Sequence, residues 1–170
     1  MKKTLLPLSK VYRLLEPGPV VLLTSARGPM TNVMAMSWHM MVDFEPPTVA
    51  CVISDRNYTF ELVKKTKECV INIPTVELIK KVVGCGNVSG RRVNKFKKFR
   101  LTPTPATCVA VPLISECSAN LECKVIDASM AHKYNIFILS IVKAWVDRKR
   151  KTRGRSIIAG EGFLWWLGEE

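Results

Sequence analysis

The chain lacks the features that would place it among several common classes. No two of its six cysteines (51, 69, 85, 108, 117 and 123) stand in a Cys-x-x-Cys pair, which excludes a zinc ribbon or a thioredoxin-type site. It has only His39 and His132, with no carboxylate pair beside either, so a zinc-dependent or triad hydrolase has no raw material here. No apolar run approaches the length needed to cross a bilayer. The charged start Met1-Lys-Lys-Thr-Leu-Leu is interrupted at Pro7 and Lys10, which makes a poor signal peptide and predicts a cytoplasmic protein. There is no internal repeat, no regular βαβ alternation and no Gly-Lys-Ser/Thr ending of a P-loop. Acidic residues are also few, 14 against 26 basic, a net charge of +12 that favours an anionic partner.

What is present suits one globular domain over residues 1–170, with 48% hydrophobic and 24% charged residues. Strands are expected over residues 20–25, 33–41, 49–54, 69–73, 121–125, 135–146 and 157–167. The reasons are β-branched content, strict alternation at 121–125 and continuous apolar character at 135–146. Short helices are expected over 58–65 and 75–83, and a basic helix or turn over 92–99. Residues 84–90 read as a Gly-rich loop, within which Cys85 is the one thiol that could be exposed. Cys51, Cys69 and Cys123 lie inside apolar runs, where free cysteine acts as a small core residue. Many strands and few helices predict a mainly β, antiparallel barrel, whose closure removes exposed edges.

The segment Thr31-Asn-Val-Met-Ala-Met-Ser-Trp-His39 mixes Asn32, Ser37 and His39 with Trp38 and flexible apolar residues, as if something flat and polar lay against it. The junction Ser54-Asp-Arg-Asn-Tyr-Thr59 is the best anion site. A helix N-terminus offers unpaired N–H groups, Ser54 and Thr59 add hydroxyls, and Arg56 adds a forked cation. A plain capped helix with a solvent-facing Arg56 accounts for the same residues equally well. Asn87-Val-Ser-Gly-Arg91, followed by Lys95, is small enough for a ligand to approach its backbone. The basic clusters at 91–100 and 148–155 admit nucleic acid on charge alone. Only Phe96 and Phe99 lie among those charges as stacking aromatics, and a helix packing both inward explains them as well.

Seven segments in this order resemble the flavin reductase-like, FMN-binding split-barrel family, and its flavoredoxin-like branch in particular. They are Pro19-Val-Val-Leu-Leu-Thr-Ser25, Asn32-Val-Met-Ala-Met-Ser-Trp38, and Pro46-Pro47 ahead of Ile53-Ser-x-Arg56-x-x-Thr59. Then come Val70-Ile-Asn-Ile-Pro74, Val88-Ser-Gly-Arg91 with Lys95-Phe96, Ala119-Asn-Leu-Glu-Cys123, and Lys133-Tyr-Asn-Ile-Phe-Ile-Leu139 running on to Asp147. The resemblance implies a homodimer of Greek-key split β-barrels, each holding one non-covalent FMN near the subunit interface. It implies electron transfer from NADH or NADPH to flavin, or from flavin to a redox partner protein. By the same resemblance Asn32, Ala35, Met36, Ser37 and Trp38 line the isoalloxazine ring, and Ser54, Arg56 and Thr59 bind the phosphate. Asn72, Ser89 and Gly90 lie close by, Lys95 reaches the flavin, His132 contributes to its face, and Phe163, or one of Trp165 and Trp166, covers it. The chain departs from the family pattern in two places. Arg155-Ser-Ile-Ile-Ala159 stands where relatives often carry a His pair, and Ser140 where many carry Glu, so the electron donor stays open between a reductase and a carrier.

Overall fold

The computed structural model describes residues 19–147, together with the backbone of two short strands, Ile157–Gly160 and Phe163–Trp166. The described residues open with a hairpin of β1 (Val21–Arg27) and β2 (Met30–Met36), closed by the two residues Gly28-Pro29. Gly28 has φ +56°, a left-handed conformation that glycine adopts without cost, while Pro29 supplies the fixed negative φ that follows it. A second hairpin pairs β3 (His39–Phe44) with β4 (Pro47–Val52) through a cis Glu45–Pro46 bond. Helix α1 (Tyr58–Thr66) leads to β5 (Glu68–Ile73). A 3-10 turn (Val76–Leu78) runs into α2 (Ile79–Asn87), and the single turn α3 (Lys95–Lys98) follows. The two-residue strands β6 (Pro103–Thr104) and β7 (Leu113–Ile114) pair with each other. After them come β8 (Ala119–Asp127), the short helix α4 (Ala131–Tyr134) and β9 (Ile136–Val146).

Seven strands form one antiparallel sheet in the order β2-β1-β5-β8-β9-β4-β3. Its two outermost strands, β2 and β3, are consecutive in sequence and separated only by Ser37-Trp38. A two-residue link cannot span a flat seven-stranded sheet, where neighbouring strands lie about 4.8 Å apart. The sheet therefore curls until its edges meet at this link, and the Val52 N–H donates to the Trp38 carbonyl at 3.0 Å. Inside the barrel Val21, Leu23, Cys51, Ile71, Phe137 and Leu139 form a dry core. Helix α1 adds Phe60, whose ring meets Phe137 edge-on at 5.3 Å. A second core lies outside the barrel, where Val20, Leu22 and Val33 pack against Leu78, Val82 and Phe96. Burial on both faces explains why residues 20–23 are continuously apolar rather than alternating.

The mainly β antiparallel expectation holds, with four local corrections. The strand expected over 33–41 is two strands at opposite edges of the sheet. The loop expected over 84–90 is mostly the end of α2. Gly84 is there for packing, because a Cβ on it would overlap the Phe99 ring. Cys85 is consequently buried, not exposed. The final strand expected over 157–167 is a hairpin of β10 (Ile157–Gly160) and β11 (Phe163–Trp166). In the basic segment Phe96 is buried and Phe99 packs beside it, so neither offers a stacking surface.

Candidate functional site

Beside the edge strand β2 a cleft of about 280 Å³ opens between the start of α1 and the end of α2. Its first wall is the turn from β4 into α1. Asn135, in a left-handed conformation, pins that turn by accepting from Ile53 N at 2.9 Å and, through Oδ1, from Asp55 N at 3.2 Å. Asn57 is the N-cap of α1, but its side chain makes no capping bond. The first-turn N–H groups thus keep the partial positive charge of an uncapped helix end. Arg56, Asn57, Tyr58 and Thr59 line this wall.

The opposite wall runs from Cys85 to Gly90. Beyond it Arg91 crosses to α1, donating from Nη1 to Glu61 Oε2 at 3.0 Å and from Nη2 to the other carboxylate oxygen. Its guanidinium lies 5.1 Å from the Tyr58 ring centre. The hydrogen bond from Arg91 holds the Glu61 carboxyl below the usual range. Arg91 therefore braces the two walls against each other.

The floor is Asn32, Met34 and Ala35 of β2, with Lys95 at the base. Lys95 is 4% exposed, and its Nζ donates to the Val33 carbonyl at 2.6 Å and the Cys85 carbonyl at 2.7 Å. Burial pushes its pKa down. Burial also pushes the Cys85 thiol up to about 11, so it stays protonated and is no nucleophile at neutral pH. Asn32 is 2% exposed, its Nδ2 donates to Thr59 Oγ1 at 2.8 Å, and its Oδ1 has no partner. Gly90 sits directly over it, for a Cβ there would overlap the carboxamide. Two cations and no carboxylate line the cleft, so it is built for an anion. At this volume it lies just below the usual range for whole ligands, about 300–1,000 Å³, and fits one polar end of a larger molecule.

Of the residues expected from sequence, Asn32, Ala35, Arg56, Thr59, Ser89, Gly90 and Lys95 meet in this cleft. Ser54 stands just behind it, its hydroxyl accepting from Arg56 N at 3.3 Å. Met36 points into the barrel core and is 4% exposed. Ser37 and Trp38 form the link between the two sheet edges, outside the cleft lining. Asn72 is fully engaged elsewhere. Its Nδ2 donates to the Leu22 carbonyl, and its Oδ1 accepts from Ile114 N and Asn120 Nδ2. His132 is exposed on α4 with Nε2 at 3.1 Å from Lys64 Nζ, away from the lining. The side chains of Phe163, Trp165 and Trp166 lie outside the described residues. Sequence reasoning passed over Met34, Tyr58 and Gly86. Met34 was recoverable, since it stands two positions from Asn32 in a strand and so shares its face. Among the described residues no cluster of His, Cys, Asp or Glu is suited to a metal ion.

Comparison with known proteins places this geometry in a family. The fold matches an FMN-binding domain of a flavin reductases-like enzyme from Shewanella baltica OS155 with a TM-score of 0.81 and 27% identity, covering 97% of this chain and 94% of the other. It matches the flavoredoxin of Desulfovibrio vulgaris (Miyazaki F) with a TM-score of 0.84 and 25% identity, covering 100% and 95%. An uncharacterized protein of Escherichia coli K12, YddH, is 35% identical over 147 residues, 84% of this chain and 78% of its own length. An uncharacterized protein of Archaeoglobus fulgidus is 37% identical over 111 residues, and the match spans 63% of that protein. The family model described as "Flavin reductase like domain" matches residues 13–166, and the chain belongs to that family.

Proposed function

We propose that this chain binds FMN non-covalently and passes electrons through it, as a flavin reductase that draws them from NADH or NADPH. The observation that carries the reading is the cleft itself. An uncapped helix start, Arg56, the Thr59 hydroxyl and buried Lys95 converge on a space with no carboxylate in its lining. The residues present suit a phosphorylated flavin. The donor set matches a phosphate, and Gly90 keeps side-chain bulk out of the cleft. FMN, when bound, supplies the electron-transfer chemistry, and the protein's task is to bind it, orient it and tune its surroundings. Arg56 and Thr59 anchor its charged end, and the Arg91–Glu61 brace keeps both walls in place.

A second reading is an electron carrier of the flavoredoxin kind, reduced by a partner protein and not by a nicotinamide. The apolar Ile157-Ile158 pair favours it, because it stands where the family resemblance leads one to expect a His pair. An anaerobic titration of FMN-loaded protein with NADH and then NADPH separates the two. Bleaching of the flavin band supports the reductase, and bleaching only by dithionite or a reduced partner supports the carrier. A chain that remains colourless with added FMN overturns both.

The same proposal includes a homodimer and a cytoplasmic location. Met40, Met41, Val42 and Phe44 of β3 are all at least half exposed, with Phe44 at 88%, and Val142 and Val146 of β9 add to the exposed apolar surface. Single exposed hydrophobics are ordinary, but a row of this length along one edge strand is what a second copy would cover. Among the described residues no helix is long and apolar enough to cross a membrane.

A further inference from the structure

We propose that the outer layer built by α2 and α3 is the docking surface of an acidic protein, a one-electron carrier that reduces what the cleft holds. The docking stands on the charge and shape of this layer. Only the electron transfer rests on the carrier reading above.

Residues 79–100 hold eight of the chain's 26 basic residues and no acidic one. Two of the eight are spent locally: Lys95 is buried on two carbonyls, and Arg91 is paired with Glu61. Lys80, Arg92, Lys97, Lys98 and Arg100 are exposed. The nearest carboxylates in sequence, Glu77 and Glu116, stand outside the stretch, and Glu116 accepts from the N–H and hydroxyl of Thr102. The two helices form one firm layer. Lys81 Nζ donates to the Arg100 carbonyl at 2.7 Å, the Phe99 ring lies against Gly84, and Val82 and Phe96 share one core. Local electrostatics do not account for the charge. Lys80 and Lys81 stand in the first turn of α2, the end at which a helix dipole opposes cations, and no acidic residue joins them in that turn. An ordinary solvated face interleaves both signs, whereas charges of one sign repel each other. Cations kept against both effects point outward, to an anionic partner.

Three observations favour a protein over a nucleic acid or an anionic membrane. The layer offers no stacking ring to a single strand, since Phe96 is buried and Phe99 is packed beside it. Val83, 43% exposed, stands one turn from Lys80 on the same helix face. An apolar spot inside a charged rim is the anatomy of a protein interface, while a lone valine gives a bilayer little to bury. Helix α2 is also shared with the cleft, whose lining includes Cys85, Gly86 and Asn87. A partner seated on α2 therefore comes up to the cleft wall. Each encounter moves one electron: the partner is oxidised by one, and two encounters, with protons from solvent, reduce a flavin fully.

The test mixes FMN-loaded protein anaerobically with a reduced plant-type [2Fe–2S] ferredoxin of strongly negative net charge and follows bleaching of the flavin by stopped flow. The second-order rate should fall about tenfold or more as salt rises from about 50 to about 300 mM. The variant Lys80→Gln/Arg92→Gln/Lys97→Gln/Lys98→Gln should be about tenfold slower at low salt and nearly insensitive to salt. A control with the exposed Lys65, Lys67, Lys124 and Lys133 changed to Gln has the same net charge and should stay within about threefold of the wild type. FMN affinity should be unchanged in both variants. Equal slowing in the two means that net charge alone steers the encounter, and overturns the proposal. A yellow protein that dithionite bleaches and the ferredoxin does not also overturns it, and leaves flavin binding standing. So does a DNA duplex of about 20 base pairs, or a phosphatidylcholine–phosphatidylserine vesicle, held by the same four residues while the ferredoxin rate is equal in both variants. If the chain takes up no FMN, the carrier reading falls and docking is read by fluorescence anisotropy of labelled, oxidised ferredoxin. Loss of binding in the first variant alone then upholds the surface, and absence of binding by the wild type overturns it.

Discussion

Lys95 shows how much one side chain can tie together. It bridges the edge carbonyl of Val33 and the C-terminal carbonyl of Cys85 from a nearly solvent-free position. Lys95→Met is expected to leave both carbonyls unpaired and to lower stability by about 2 kcal/mol, measured by urea unfolding. The pH dependence has a definite sign. Burial lowers the folded pKa of Lys95, so the unfolded chain binds this proton more tightly and stability rises with pH in the interval just below 10.5. That rise should be absent in Lys95→Met, and equal slopes in the two proteins would refute the assignment. Gly90→Ala makes a second residue-scale prediction. The new methyl must displace the Asn32 carboxamide, so FMN affinity should fall about tenfold or more while the far-UV spectrum is unchanged. Arg56, Thr59, Ser89 and Gly90 could be picked out in the sequence because helix starts and small-residue loops have local chemical marks. The burial of Met36 and the engagement of Asn72 had no such marks, since both depend on strands far away in the chain.

Among the elements, β8 carries an organising carboxylate that its sequence pattern conceals. Glu122 occupies a polar position of an alternating strand, yet it is fully buried. It accepts from Thr107 N at 3.1 Å, from Cys108 N and from Trp145 Nε1 at 2.8 Å, so it fastens the segment before β7 and the end of β9 to the sheet. Burial raises the pKa of this carboxyl, but the bonds from Trp145, Cys108 and Thr107 outweigh it and hold the group below its ordinary 4.5. A lowered folded pKa contributes stability that is present above 4.5 and is lost as pH falls through the folded value. Glu122→Gln should cost about 2–3 kcal/mol at neutral pH, because an amide cannot accept all these donors, and its melting temperature should fall less steeply on acidification than that of the wild type. Thermal melts followed by tryptophan fluorescence would check both. Sequence alternation identified the strand but not the burial of this face, because the cover is a loop that itself has no period.

At the scale of the whole molecule, the edge strand β3 is the feature left to explain. Replacing Met41 and Phe44 together with Asp should give a folded monomer by sedimentation, whereas the wild type should sediment as a dimer. A monomeric wild type would refute the assembly proposed above. The net charge of +12 adds a further expectation: FMN affinity should weaken as salt is raised, more so than riboflavin affinity, because only the phosphate end feels the basic cleft.

Period, turn chemistry and composition are local properties, and they made the strand content, the start of α1 and the basic charge legible in the sequence. The closure of the barrel is not local. It splits residues 33–41 between two opposite edges, draws Gly84, Cys85 and Gly86 into a helix, and sets Lys95 under a carbonyl 62 positions away. A two-residue link between the outermost strands forces the sheet to curl, and the curled sheet then decides which polar atoms meet. For that reason Asn32 of the edge strand meets Thr59 of α1, 27 positions away, in the lining of the cleft.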